Sequence, residues 1–192
     1  MHLYLSTRSP LNSVFSTAEG QALYKVETPM AAGTRTSTIS CIVPNDIPQH
    51  HSAHTVSMQN RFGHLAQVEH NVISSSILRF GGNEFATKDY FRKVGWGPLC
   101  RARFEKLWVD RHRVFTGPDG REYKWELLSY NSQLVTNDDK KTLVARFHRA
   151  SLGIIGKARP ASFEISPTGE HMVQDILITF IYIEKIRKDM ET

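Results

Sequence analysis

The sequence predicts a mostly β protein: a closed antiparallel β-barrel wrapped around one buried, hydrophobic carboxy-terminal helix. Three observations lead there. Short extended segments punctuated by turn residues recur from the amino terminus to Ser166. Residues 170–188 then contain no Gly or Pro and are long enough for about five helical turns. The apolar positions of that segment are Met172, Val173, Ile176, Leu177, Ile178, Phe180, Ile181, Tyr182, Ile183 and Ile186. They surround most of a helix, and a helix that is apolar all round must be buried all round. The interior of a barrel is the environment that can do this.

The individual elements follow in order. Residues 2–6 alternate loosely until Ser9-Pro10 interrupts them, and Val14-Phe15 precedes the turn signal Ala18-Glu19-Gly20. Residues 22–27 alternate as a strand and end at Thr28-Pro29, and the Thr- and Ile-rich stretch 34–43 is a second strand candidate. Residues 45–57 carry Pro48 and three histidines among polar neighbours, directly after Pro44, and read as a flexible loop. Residues 65–80 supply one or two further strands, closed by Gly81-Gly82-Asn83.

The sharpest local signal is a hairpin: residues 113–116 and 121–128 flank Gly117-Pro118-Asp119-Gly120. Pro pre-sets one dihedral of a tight reversal and Gly accepts a positive φ. Tyr123, Trp125 and Leu127 alternate with Glu122, Lys124 and Glu126, so one face is apolar and the other wet. Residues 134–136 and 142–149 form the next hairpin, across Asn137-Asp138-Asp139-Lys140, and 161–166 make one more strand. The total is roughly eight to eleven strands. Ser166-Pro167 is the expected start of a helix over about 168–188, with Pro at its first position. A buried strand over 176–183 competes, because β-branched residues are abundant there; segment length favours the helix.

Composition fits a single domain over 1–192. Hydrophobic residues make up 40% and charged residues 22%, which excludes a disordered, collagenous or coiled-coil chain. Two cysteines, Cys41 and Cys100, support neither a disulfide framework nor a four-cysteine zinc site. The first residues lack the pattern of a signal peptide, and no apolar run reaches the length of a membrane span. A cytoplasmic protein, peripheral to membranes at most, is the expectation.

Charge is the more informative property. The chain carries 24 Lys and Arg against 19 Asp and Glu. Residues 86–113 hold eight of those cations and only three acids, so the whole excess lies in this segment. Phe85, Tyr90, Phe91, Trp96, Phe104 and Trp108 interleave with the cations. Such a segment attracts phosphates, acidic headgroups or nucleic acid. The plain alternative is that the rings are core and the cations a solvated face.

Several motifs then resemble a known family. They are Phe115-Thr-Gly-Pro-Asp-Gly-Arg-Glu-Tyr-Lys-Trp125, Val144-Ala-Arg-Phe-His-Arg149, Gly153-Ile-Ile155 and the run from Asp175 to Arg187, with Ser9-Pro-Leu-Asn-Ser-Val-Phe15 and Leu23-Tyr-Lys-Val-Glu-Thr28 earlier in the chain. Over residues 8–188 the chain resembles a fungal, mostly basidiomycete, family catalogued as a domain of unknown function. That family is similar in outline to the tubby-like group, with its tubby carboxy-terminal domain, the plant LURP-one-related proteins and the phospholipid scramblases. The resemblance implies a barrel of about twelve strands around a hydrophobic helix. It implies no activity, and no functional residue of that group carries over.

Each candidate chemistry has a plainer competitor. His50, His51 and His54 form the most ligand-like cluster, with His64 and His70 further on, yet their spacing compels no metal site. Arg146 and His148 share one face of a strand, where they meet an anion or simply face water. Cys100 lies beside Arg101 and near Arg103, which would favour its thiolate; a structural thiol is the simpler reading. Asp138-Asp139 suits a turn better than a catalytic pair. There is no nucleophile elbow, Walker A loop or dinucleotide fingerprint.

The expected function is therefore a non-enzymatic binding module with no cofactor and no metal. Its expected ligand is an anionic phospholipid headgroup, bound weakly at a membrane surface through the basic segment 86–113 by Lys88, Arg92, Lys93, Arg101 and Arg103. A protein-interaction or scaffold role is the alternative, and a hydrolase the remote one. Nucleic acid is not an expected partner.

Overall fold

The computed structural model describes residues 1–31, 33–43, 62–71, 73–94, 112–128, 131–151, 153 and 157–189. Among these residues thirteen antiparallel strands form one sheet: β1 (His2–Leu5), β2 (Ser13–Ser16), β3 (Ala22–Glu27), β4 (Arg35–Ile42), β5 (Phe62–His70), β6 (Ile77–Phe80), β7 (Asn83–Ala86), β8 (Arg92–Val94), β9 (His112–Thr116), β10 (Glu122–Leu127), β11 (Ser132–Thr136), β12 (Leu143–His148) and β13 (Ser162–Ile165). A single helical turn, α1 (Thr87–Tyr90), separates β7 from β8, and α2 (Val173–Asp189) follows a 3-10 turn at Pro167–Met172. The strand order is β7-β6-β5-β4-β3-β2-β1-β13-β12-β11-β10-β9-β8. Two meanders, β1–β7 and β8–β13, are thus joined where β1 pairs with β13 through Leu3 opposite Phe163.

The helix at 168–188 is confirmed in its main part, and the competing strand is excluded. Ile176, Leu177, Ile178, Phe180, Ile181 and Ile183 are all essentially inaccessible to water. The inner faces of β10, β12 and β13 meet them. Trp125, Phe147 and Phe163 surround the Phe180 ring at centroid distances of 5.9, 5.3 and 4.2 Å. Trp125 Nε1 donates to Thr179 Oγ1 at 3.1 Å, and that hydroxyl donates to the Asp175 carbonyl at 2.7 Å, so both buried polar groups are satisfied. Ser166 departs from its expected role as a helix cap. Its hydroxyl donates to the Leu143 and Val144 carbonyls of β12, because the 3-10 turn places it against the sheet. Gly169 lets that turn pack closely: a Cβ there would lie 2.8 Å from both Ile176 and Val144.

The count of about twelve strands becomes thirteen among the described residues. The hydrogen-bonded ring is also not closed, because β7 and β8 are the two edges and share no ladder among the described residues. Only α1 and Phe91 lie between them in the chain. Aromatic packing spans the gap. Tyr90 touches the rings of Phe80 and Phe85 on one side and Phe115 on the other, at 5.9, 5.4 and 5.9 Å. Phe91 stacks on Tyr182 of α2 at 5.1 Å. For Phe85, Tyr90 and Phe91 the plain reading therefore holds: these rings are core or packed on it, while Trp96, Phe104 and Trp108 lie outside the described residues.

Both anticipated hairpins form. β9 and β10 pair from Thr116–Glu122 to Arg113–Trp125, and Gly120 takes φ 78° in the intervening turn. Asp138 serves its turn, accepting from the Thr136 hydroxyl and the Lys140 and Lys141 amides. The 45–57 loop, with His50, His51 and His54, lies outside the described residues, as does Cys100.

Candidate anion-binding cleft

A cleft of about 1500 Å³ opens where the carboxy-terminal end of α2 meets the seam between the sheet edges. Ala31 and Gly33 of the β3–β4 loop line it, with several other parts of the fold. Arg35 begins β4 and His70 ends β5, and the two face each other in the ladder. The β5–β6 loop adds Asn71 and residues 73–76. The seam contributes Thr87, Lys88, Phe91, Arg92 and Lys93, and β9 contributes Arg113. α2 supplies Tyr182, Lys185, Ile186 and Asp189.

Of the five cations expected to bind a headgroup, Lys88, Arg92 and Lys93 come together on this cleft, and Arg101 and Arg103 lie outside the described residues. Arg35, Arg113 and Lys185 join them, giving, among the described residues, six lining cations against the one lining carboxylate of Asp189. Asp189 is engaged by Lys185 one turn away. Arg92 Nη2 donates to both Glu122 carboxylate oxygens at 2.6 and 2.8 Å, and this guanidinium holds the Glu122 carboxyl below its usual range. Both partners are largely exposed, so the pair is weak and open to exchange for another anion. Lys88 and Arg35 make no ion pair with a described carboxylate and face solvent.

Sequence reasoning missed Arg35 and Lys185 because it weighed cations by local density. Arg35 is an isolated charge at the start of a strand. Lys185 reads as a complement to the helix dipole. One signal was available: the end of a buried helix must emerge somewhere, and its last cations emerge with it.

The floor of the cleft holds an ordered polar chain. His70 Nε2 lies 2.8 Å from Ser37 Oγ, Ser37 Oγ lies 2.7 Å from Thr28 Oγ1, and the Thr28 hydroxyl donates to the Leu11 carbonyl at 2.6 Å. A carbonyl can only accept, so the single Thr28 proton is committed there. Ser37 must then donate to Thr28, and His70 must donate from Nε2 to Ser37. His70 is therefore not a base toward Ser37, which fixes its tautomer and leaves Nδ1 as the acceptor of the neutral ring.

Burial, with Lys185 and Arg35 nearby, lowers the His70 pKa to about 4; Asp189 opposes them. An unfolded histidine titrates near 6.5. The unfolded chain thus binds more protons between those values, and stability falls as pH drops through that window. At pH 5 this one group is expected to cost about 2 kcal/mol relative to pH 8. Urea midpoints at the two pH values check it: His70→Gln should remove that part of the acid sensitivity, and an identical pH profile for the variant would contradict the assignment.

Other candidates do not converge. His148 Nε2 pairs with Glu164 at 2.9 Å and Arg146 donates to Gln133, so both belong to polar contacts on the outer face of the sheet. His64 is exposed while His70 is buried. Among the described residues no group of three or more His, Cys, Asp or Glu is placed to hold a metal ion, and no helix is long and apolar enough to cross a membrane.

The chain belongs to DUF6593, a family of unknown function whose model matches residues 8–189. No curated protein and no solved structure matches it.

Proposed function

We propose that this member of the DUF6593 family is a non-enzymatic binding module that holds anionic phospholipid headgroups in its basic cleft. The reading is carried by one observation: among the described residues, six cations from β4, α1, β8, β9 and α2 converge on one concavity lined by a single carboxylate, itself paired. Phosphate is the common chemistry such a site attracts, and each Lys or Arg near an anionic surface contributes about 1 kcal/mol. The same reading includes a peripheral, cytoplasmic protein of fungal origin. It also includes kinship with the tubby-like group, which thirteen strands around a buried carboxy-terminal helix support.

Vesicle flotation tests it. The Arg35→Glu/Lys88→Glu double variant changes two exposed cleft cations on different elements. It should weaken partition onto vesicles of phosphatidylcholine with phosphatidylserine by about thirtyfold, since the loss of two cations is worth ~2 kcal/mol. Unchanged partition of the variant, or equal recovery of the wild type on pure phosphatidylcholine, would refute the reading.

A further inference from the structure

Two side chains at the cleft end of the molecule are placed where water should disfavour them. Among the described residues the exposed large apolar side chains are six, and Met1, Tyr4, Val43 and Leu128 are between 37% and 47% exposed. Met30 is 90% exposed and Ile73 fully so. A scattered exposed apolar residue needs no explanation; these two are not scattered. Ile73 lines the cleft, and Met30 directly precedes Ala31, which also lines it. Their loops leave the same end of the β4–β5 ladder, where Arg35 pairs with His70. The Thr34 hydroxyl donates to Asn71 Oδ1 at 3.0 Å and ties the two loop bases together.

The Ile73 loop is held in place. Asn71 Nδ2 donates to the Ser75 carbonyl at 3.1 Å, and the Lys88 amide donates to Ser75 Oγ at 3.1 Å. Ser75 thereby ties the loop that carries Ile73 to the cleft cation Lys88. A water-soluble phosphate compound would use the cations and leave both apolar tips in water. A bilayer uses both: headgroup phosphates meet the cations, and the apolar tips enter the acyl boundary beneath them.

We propose that Met30 and Ile73 are membrane-insertion points, and that the protein docks on an anionic bilayer with the cleft mouth facing the lipid. This rests on the headgroup reading of the cleft, and adds the orientation and the source of the phosphate. Combining a modest apolar contact with a polybasic one is what makes peripheral binding stable.

The test compares the full chain with Met30→Ser/Ile73→Ser and with Arg35→Glu/Lys88→Glu on phosphatidylcholine–phosphatidylserine vesicles. Glycerophosphoserine, the water-soluble headgroup, serves as competitor. Both apolar residues are exposed, so the serine variant should keep the wild-type circular dichroism and melting point. It is expected to lose about tenfold or more in vesicle partition, because removing buried apolar side chains forfeits that much transfer free energy. Its sensitivity to glycerophosphoserine should stay that of the wild type. An Ile73→Trp variant should shift its emission to the blue on vesicles and be quenched by brominated acyl chains. If the serine variant binds like the wild type while the charge-reversed variant does not, insertion is refuted and the cleft reading stands. If the wild type itself ignores anionic vesicles, the cleft reading falls, and insertion with it.

Discussion

Phe180→Ala is expected to lower the unfolding free energy by about 3–5 kcal/mol and the Tm by roughly 10 °C or more. The ring sits on the buried helix α2, stacked on Phe163 at 4.2 Å and flanked by Trp125 and Phe147. Phe180 and its three partners are almost completely buried. Three strands on the inner face of the sheet thus converge on one helical residue. Truncation removes the apolar transfer term and leaves a cavity bounded by side chains fixed on separate strands, which cannot collapse inward together. Urea unfolding followed by Trp fluorescence and circular dichroism measures the loss. A change below about 1 kcal/mol would mean that the helix is not gripped on all sides.

Arg187→Ala is expected to cost a similar amount, about 3–5 kcal/mol, for a different reason. Glu184 is fully buried, and the Arg187 guanidinium holds it with two donors, Nε to Oε1 at 2.8 Å and Nη2 to Oε2 at 2.6 Å. The Ser132 hydroxyl of β11 donates to the same carboxylate at 2.7 Å. Removing the guanidinium deprives a buried carboxylate of two charge-assisted donors. Replacing both ions together by apolar residues of similar volume removes the penalty along with the pair. The Glu184→Met/Arg187→Met double variant should therefore be more stable than Arg187→Ala alone. If the single and double variants lose the same stability, the carboxylate is not the source of the cost. The consequence reaches the cleft, because Lys185 and Asp189 stand on this last stretch of α2.

Elements with strong local chemistry were legible in the sequence. The Gly117-Pro118-Asp119-Gly120 reversal specifies its own geometry, and the alternation of Tyr123, Trp125 and Leu127 reappears as three buried inward positions. The helix was legible because a long segment free of Gly and Pro and apolar on all sides has few other solutions. The short elements at the sheet edges were not. β7, α1 and β8 are four, four and three residues long, too short for any periodicity to show. Their basic character drew attention to charge instead of to the seam they form.

The cleft was half legible. Lys88, Arg92 and Lys93 are neighbours in sequence, and they come together in the structure. Arg35 and Lys185 are 150 positions apart in the chain. Only the wrapping of the sheet around α2 makes them line one concavity. Met30 and Ile73 are likewise single apolar residues in polar loops. Their meaning depends on both loops leaving one end of the β4–β5 ladder.

The most direct measurement of the central claim is the partition of the wild-type protein onto vesicles across a graded series of phosphatidylserine content, at low and at physiological salt. Binding should be absent on pure phosphatidylcholine, rise steeply with anionic fraction, and weaken as salt screens the cleft. Partition that is flat across the series, or insensitive to salt, would contradict a cleft built to hold anionic headgroups.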